Sequence, residues 1–308
     1  MTAPALLEVT KGHGTQNDFV LIDDRQDELD LTPALVRALT DRRAGVGGDG
    51  VIRLVPSASV PEGARVLAED ASATWFMDYR NADGSVAEMC GNGVRVFVKF
   101  LERLGLADAA ADVVAVGTRA GVRRVRREPN GWYAVGMGRW TLPGGDAAVD
   151  QGFDAEVRVA GLDVDRPALR VEVGNPHTVL ALSGLAELAT VDLTHAPTVS
   201  PTPPNGTNVE LVVPLGESPD GHGGTLGRVR MRVHERGVGE TRSCGTGACA
   251  AALAVRSWAG PDAPDVWLVD VPGGTVRVSM LDSGTVELAG PAELVATAQV
   301  DLAALTAS

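Results

Sequence analysis

Two of the chain's three cysteines share a setting. Cys90 stands in "MCGNGVR" (Met89 to Arg95) and Cys244 in "SCGTGAC" (Ser243 to Cys249), 154 residues apart in a chain of 308. A cysteine just before a helix meets unpaired backbone N–H groups and the positive end of the helix dipole, which favour the thiolate. The same N–H groups bind carboxylates. Glycines on both sides of Asn92 and of Thr246 let a substrate approach the backbone closely. Two such elements facing each other would put like acid/base groups on opposite sides of one carbon. That arrangement suits inversion of a stereocentre: one thiolate removes the α-proton and the opposite thiol delivers another. The barrier is high, because a mismatch on the order of 10 pKa units between thiol and α-carbon corresponds to roughly 14 kcal/mol. Amides aimed at the developing carboxylate-enolate in a site closed to water are the available answer. Cys249, among alanines on the following helix, reads as packing.

The elements around the thiols must repeat for this to work. "GVRVFVKFLERLG" (Gly93 to Gly105) carries apolar residues at 94, 97, 98, 101 and 104, a helical stripe that stops at a glycine. "GACAAALAVRSWAG" (Gly247 to Gly260) does the same with smaller residues. "LTPALVRALTD" predicts a further helix with Thr32 as N-cap and Pro33 at its first position. Elsewhere short alternating bursts between Gly, Pro and Asp turns predict strands. Shifted by 154 residues, "MDYRNADGSVAEMCGNG" (Met77 to Gly93) lies on "MRVHERGVGETRSCGTG" (Met231 to Gly247) without a gap, and Met, Cys and both glycines match. "GTQNDFVLI" echoes "GNPHTVLAL" at a slightly different offset. Two similar halves follow, 1–136 and 137–291. "MGRWTLPGGD" (Met137 to Asp146) is the linker candidate, and the Pro-rich "TVSPTPPNG" (Thr198 to Gly206) a surface loop.

Composition narrows the function. A net charge of −13 argues against a nucleic-acid or anionic-membrane partner. The one basic cluster, "GVRRVRRE" (Gly121 to Glu128), alternates like a strand with arginines on its wet face. No signal-peptide pattern and no apolar run near the ~18 residues of a membrane span occurs, so a soluble cytoplasmic protein is expected. No C-x-x-C or H-x-x-x-H spacing suggests a metal, and no lysine stands in a recognisable Schiff-base context; neither metal nor cofactor is expected. "GVGGDG" (Gly45 to Gly50) lacks the Lys-Ser/Thr of a phosphate loop. His177 in "GNPH" can be a core histidine or can tune a cysteine. Glu235 and Arg236 in "HERG" can be a solvated pair or can bind a zwitterionic substrate end.

These motifs together resemble the diaminopimelate epimerase family, which interconverts LL- and meso-diaminopimelate without pyridoxal phosphate, in lysine and peptidoglycan precursor biosynthesis. "GHGTQNDF", "NADGSVAEMCGNGVR", "GNPH", "NGTNVE" and "ERGVGETRSCGTGACAA" carry the resemblance, in order from Gly12 to about Ala252. It implies an α/β fold of the α+β type: two pseudo-symmetric domains, each a curled, mostly antiparallel sheet around a central helix, with the active site in the cleft between them. A final segment, about 292–308, would return to the first domain. Cys90 and Cys244 would be the acid/base thiols, and Gly91, Asn92, Gly245 and Thr246 would hold the reacting carboxylate. Asn17, Asn81, Asn175, Asn208, Glu235 and Arg236 would bind the rest of the substrate, Arg236 clamping the distal carboxylate. His177 and Glu235 would adjust the thiol pKa values. A homodimer is implied as well. The chain departs from the family at Gly50, where a glutamine is usual, and it is somewhat longer than is common.

Two alternatives share features with this reading. A proline or hydroxyproline racemase-type enzyme uses the same two-thiol chemistry, but a compact imino acid does not need partners such as Glu235 and Arg236 for a second charged end. A non-enzymatic thiol redox switch would also bring Cys90 and Cys244 together.

Overall fold

The computed structural model describes residues 6–108, 111–221 and 223–306. Residues 1–5 and 307–308, which belong to the expected first half, lie outside them. The chain divides into two compact units, Met1–Val135 with Pro291–Ser308, and Gly136–Gly290. The divide falls inside the strand Tyr133–Arg139, and the segment expected as a linker continues through a bridge at Thr141 into the helix Gly145–Gln151.

In the first unit the sheet runs, edge to edge, through Glu293–Asp301, Leu6–Gly14, Asn17–Asp23, Gly50–Pro56, Trp75–Asn81, Val113–Thr118, Gly121–Arg127 and the start of Tyr133–Arg139. Neighbours pair antiparallel except Asn17–Asp23 with Gly50–Pro56 and Trp75–Asn81 with Val113–Thr118, which are parallel. The helix α1, Gly91–Arg103, touches strands from both ends and the middle of this sheet, so the sheet curls around it. Val94, Val96, Phe97, Val98, Phe100 and Leu101 are buried, which is why the apolar stripe read from the sequence becomes the unit's axis.

The second unit repeats the plan. Its strands run Ala155–Arg158, Arg166–Glu172, Pro176–Ala181, Asn208–Pro219, Thr225–Glu235, Val266–Val271, Gly274–Met280 and Thr285–Gly290. The parallel pairs fall at the same two places, Pro176–Ala181 with Asn208–Pro219 and Thr225–Glu235 with Val266–Val271. Its axis is the helix α2, Gly245–Ala259. Residues Ala248 to Val255 of α2 are all buried, and small side chains there let strands approach from every side.

The expected N-cap at Thr32 forms: its hydroxyl accepts from Leu35 N at 3.2 Å, with Pro33 opening the helix Pro33–Thr40. The basic strand Gly121–Arg127 differs from expectation, because adjacent arginines cannot share one face. Arg124 and Arg126 are exposed, whereas Arg127 turns in and donates to Glu102 at 2.5 Å. Short helices Gly63–Glu69 and Leu185–Thr190 lack any side-chain N-cap bond, which left them without a sequence signal.

One buried charge organises the first unit. Asp78, with its side chain 1% exposed, accepts from Arg53 Nε at 3.0 Å, Arg80 Nε at 2.9 Å and Arg119 at 2.5 Å. Burial alone would raise its pKa, but the hydrogen bonds and charges of Arg80 and Arg119 outweigh that and hold the carboxyl below its usual range.

Candidate active site

Each thiol sits at the mouth of the central helix of its own unit. Cys90 is the N-cap of α1 and its Sγ accepts from Gly93 N at 3.3 Å; Cys244 is the N-cap of α2 and its Sγ accepts from Gly247 N at 3.3 Å. Both have extended backbone, φ −137° and −118°. The sulfur thus takes the part that Ser or Asp oxygens usually play. The amides of Gly91, Asn92, Gly245 and Thr246 open the two helices, where first-turn N–H groups lack intrahelical partners.

In the first unit Asn17, Asn92 and Cys90 come together. Asn17 Oδ1 accepts from Cys90 Sγ at 3.6 Å and from Asn92 Nδ2 at 3.2 Å, while Asn17 Nδ2 donates to Asp49 at 2.7 Å. Arg42 bridges Asp49 and Asp18, and Lys11 also holds Asp18. Asn17 is therefore oriented from behind, with its carbonyl turned to the thiol. Asn92 is fully buried and accepts from Arg95 at 2.8 Å. Asn81 ends its strand and donates to the Ser85 hydroxyl at 3.0 Å.

The departure at Gly50 has a steric cause: a Cβ there would stand 2.4 Å from the Arg80 carbonyl and 2.6 Å from the Tyr79 ring. Tyr79 fills the space, edge-on to Phe19 with ring centroids 5.8 Å apart.

In the second unit Asn175, His177, Asn208, Glu210, Glu235 and Arg236 come together with Cys244. His177 meets Glu210 Oε1 at 2.7 Å through Nδ1 and Asn175 Oδ1 at 3.0 Å through Nε2. Asn208 donates to the Pro176 carbonyl at 3.2 Å and accepts from Arg236 N at 2.9 Å, so it ties two strand ends together. Glu235 accepts from the Thr241 hydroxyl, and the Arg236 guanidinium donates to the Asn205 carbonyl. Asn175, His177 and Arg236 line one cavity of about 510 Å³. Cys244 Sγ lies 3.6 Å from the Thr246 hydroxyl.

A helix mouth favours the thiolate, and for Cys244 the surroundings reverse that preference. Burial pushes the thiol well above its ordinary range, and the negative charges of Glu235 and Glu210 push the same way. The Thr246 hydroxyl and the Gly247 amide oppose them without prevailing. A thiol that ionises less readily leaves a stronger base once it is ionised, which narrows the gap to a carbon acid.

Glu210 escaped the sequence reading. Its signal was an acidic residue inside the apolar run "NVELVV", in a parallel-paired strand buried on both faces. It stands where Ile52 stands in the first unit. A Cβ on Gly93 would lie 3.2 Å from Ile52 Cδ1, and one on Gly247 2.7 Å from Glu210 Oε1. Gly93→Ala therefore meets the flexible end of an isoleucine. Gly247→Ala meets a carboxylate held by a buried histidine. Thermal unfolding should put Gly93→Ala within about 1 kcal/mol of the parent, and Gly247→Ala lower by about 1–3 kcal/mol. Equal stabilities would refute the contact.

Comparison with known proteins gives first the class of fold. The chain superposes on a Bacillus anthracis phenazine biosynthesis protein of the PhzF family with TM-score 0.61 at 14% identity, covering 96% of this chain and 99% of that one. It superposes on a hydroxyproline epimerase from Agrobacterium vitis with TM-score 0.59 at 16% identity, covering 97% and 92%. The two-repeat α/β architecture is theirs. Sequence likeness is narrower: the diaminopimelate epimerase family model matches residues 9–143 and 169–295. The diaminopimelate epimerases of Streptomyces coelicolor and Thermobifida fusca are 47% and 46% identical, covering 95% and 97% of this chain and 95% and 100% of theirs. The chain belongs to the diaminopimelate epimerase family, isomerases that act on an amino acid.

Proposed function

We propose that this chain interconverts LL- and meso-diaminopimelate by moving one α-proton between two thiols, with no cofactor. The observation that carries the mechanism is the repeat itself: two helices with the same sheet context, each begun by a cysteine whose sulfur accepts from the glycine amide three residues on. Inversion in either direction needs a base and an acid on opposite faces of one carbon, and like groups serve both roles when the reaction is reversible. Cys90 and Cys244 take those roles in turn.

The remaining residues divide the work of binding. Amides of Gly91, Asn92, Gly245 and Thr246 receive the carboxylate next to the reacting carbon, where negative charge grows in the transition state. Arg236 receives the distal carboxylate, and Asn17, Asn81, Asn175 and Asn208 complete the recognition of a substrate charged at both ends. Glu235 and His177 set the thiol ionisation, consistent with the part Glu235 plays in raising Cys244. The diaminopimelate family match supports this substrate over a cyclic imino acid, whose epimerase shares only the fold. The reading assigns the enzyme to lysine and peptidoglycan precursor synthesis in the cytoplasm, as a homodimer. Among the described residues no helix is long and apolar enough to cross a membrane.

Solvent-hydrogen exchange tests the substrate. In D₂O, diaminopimelate should acquire deuterium at one α-carbon during epimerisation, read by mass and NMR, while proline and hydroxyproline stay unlabelled. Label entering proline and not diaminopimelate would overturn the assignment.

A further inference from the structure

The two helix mouths share a frame and differ in two side chains. Two residues after the N-cap thiol stands Asn92 in α1 and Thr246 in α2; five residues after it stand Arg95 and Cys249. Arg95 and Cys249 are both fully buried. Cys249 shows that a small uncharged side chain closes the core at this position, so packing does not call for an arginine. A buried guanidinium is costly unless well-placed acceptors receive it.

The contacts of Arg95 indicate what it serves. It donates through one terminal nitrogen to the Gly91 carbonyl at 3.1 Å and through the other to Asn92 Oδ1 at 2.8 Å. A guanidinium can only donate, so the Asn92 oxygen must face it and the Asn92 NH₂ must face away. That NH₂ donates to Asn17 Oδ1 at 3.2 Å, which in turn sends the Asn17 NH₂ to Asp49 Oδ2 at 2.7 Å. The far end agrees: the same Asp49 oxygen accepts the Asp18 backbone N–H at 3.1 Å, and Arg42 donates to the other oxygen at 2.7 Å. Groups that can only donate thus close the chain at both ends, and each amide has one orientation. The backbone seats Asn17 against the same arginine. Gly14 and Asn17 pair across a two-residue turn, Thr15 and Gln16, both at left-handed φ of +49° and +62°. A Cβ on Gly14 would stand 3.1 Å from Arg95 Nη2 and 3.1 Å from the Asn92 carbonyl oxygen, so the hairpin rests on the guanidinium.

We propose that Arg95 is a positioning residue for Cys90: through Asn92 it fixes the amide of Asn17 with its carbonyl toward the thiol, the part that Thr246 plays for Cys244 by direct contact. Each sulfur then has an oxygen 3.6 Å away, Thr246 Oγ1 from within α2 and Asn17 Oδ1 from a strand outside α1. The repeat reaches the same end by two routes. In the second unit the oxygen belongs to the helix itself, and the position of Arg95 can be given to a cysteine. In the first unit the oxygen is brought in from a neighbouring strand, and a buried arginine sets the amide that aims it.

The effect on turnover rests on the epimerase reading, but the relay does not, so the test begins without substrate. The Asn17 NH₂ and the Asp18 backbone N–H donate to one oxygen, so NMR of the parent protein should show an NOE between their protons. Its absence overturns the proposal, and that spectrum needs no variant to fold. In Arg95→Met the Asn92 amide loses the donor that orients it, and exchange of the Asn17 NH₂ protons with solvent should quicken about tenfold. Unchanged exchange overturns the proposal too. kcat/KM for diaminopimelate should fall about tenfold in Arg95→Met, and adding Arg95→Met to Asn17→Ala should cause no further loss, because the arginine acts through that asparagine. Losses that add would overturn the relay and leave Arg95 a residue of the core. A parent protein inactive on diaminopimelate that shows the NOE, with faster exchange in Arg95→Met, would refute the epimerase reading and leave this inference standing.

Discussion

Cys90→Ser and Cys244→Ser should each slow epimerisation of diaminopimelate by about 10³-fold or more, because a hydroxyl at these positions neither ionises nor returns a proton as a thiol does. Serine is a better N-cap than cysteine, so its oxygen can accept the Gly93 or Gly247 amide in place of sulfur and each helix keeps its start. Thermal unfolding of both variants should stay within a few degrees of the parent, which separates lost chemistry from lost fold. Substrate binding measured by calorimetry should persist, since the carboxylate is held by backbone amides. The two losses should be alike in size, because inversion needs both thiols in every turnover. Full activity in either variant would refute the two-thiol mechanism and return the cysteines to a redox or packing role.

Asp78→Ala should cost stability on the scale of a broken buried charge cluster. Asp78 is the shared acceptor of Arg53, Arg80 and Arg119, so its removal leaves three guanidiniums crowded beside one another. Removing one partner of a buried ion pair costs about 3–5 kcal/mol. Denaturant unfolding of the first unit should register a loss of this size, and a change under about 1 kcal/mol would show that the arginines find other partners. The acid limb carries a second signature. The folded pKa of Asp78 is depressed, so its contribution is present above the unfolded value of 3.8 and is lost as pH falls through the lower folded value. In Asp78→Ala that part of the acid-side loss should disappear.

Much of the site was legible because its chemistry is local. Cys-Gly-x-Gly followed by an apolar stripe contains thiol, cap and helix within one short stretch, and both copies fold as that stretch suggests. What could not be read depends on which residues meet across the ladder. The match of 154 residues holds for the thiols, but the strands beneath them are displaced by 158, from Phe19 to His177 and from Gly50 to Asn208. The difference arises in the connection between the central strands. It runs from Ser57 to Thr74 and includes the helix Gly63–Glu69 in the first unit, whereas in the second only positions 220–224 separate Asn208–Pro219 from Thr225–Glu235. The echo of "GTQNDFVLI" in "GNPHTVLAL" indicates a changed offset but not this one, so nothing in "NGTNVE" aligns Glu210 with Ile52. The helix mouth is encoded next to Cys244, whereas the burial that raises its pKa most comes from packing across the unit, with Glu235 and Glu210 adding to it.

The strand Glu293–Asp301 gives the chain an order of assembly. It pairs with Leu6–Gly14 at the edge of the first unit, in the place that Ala155–Arg158 takes in the second. Everything the second unit needs is contiguous, Gly136–Gly290, whereas the first must wait for a strand made after all of it. On the ribosome, then, the half that is translated first is the half that closes last. Until that strand emerges, Leu6–Gly14 presents an unpaired edge, a period in which the nascent chain is open to pairing with the wrong partner.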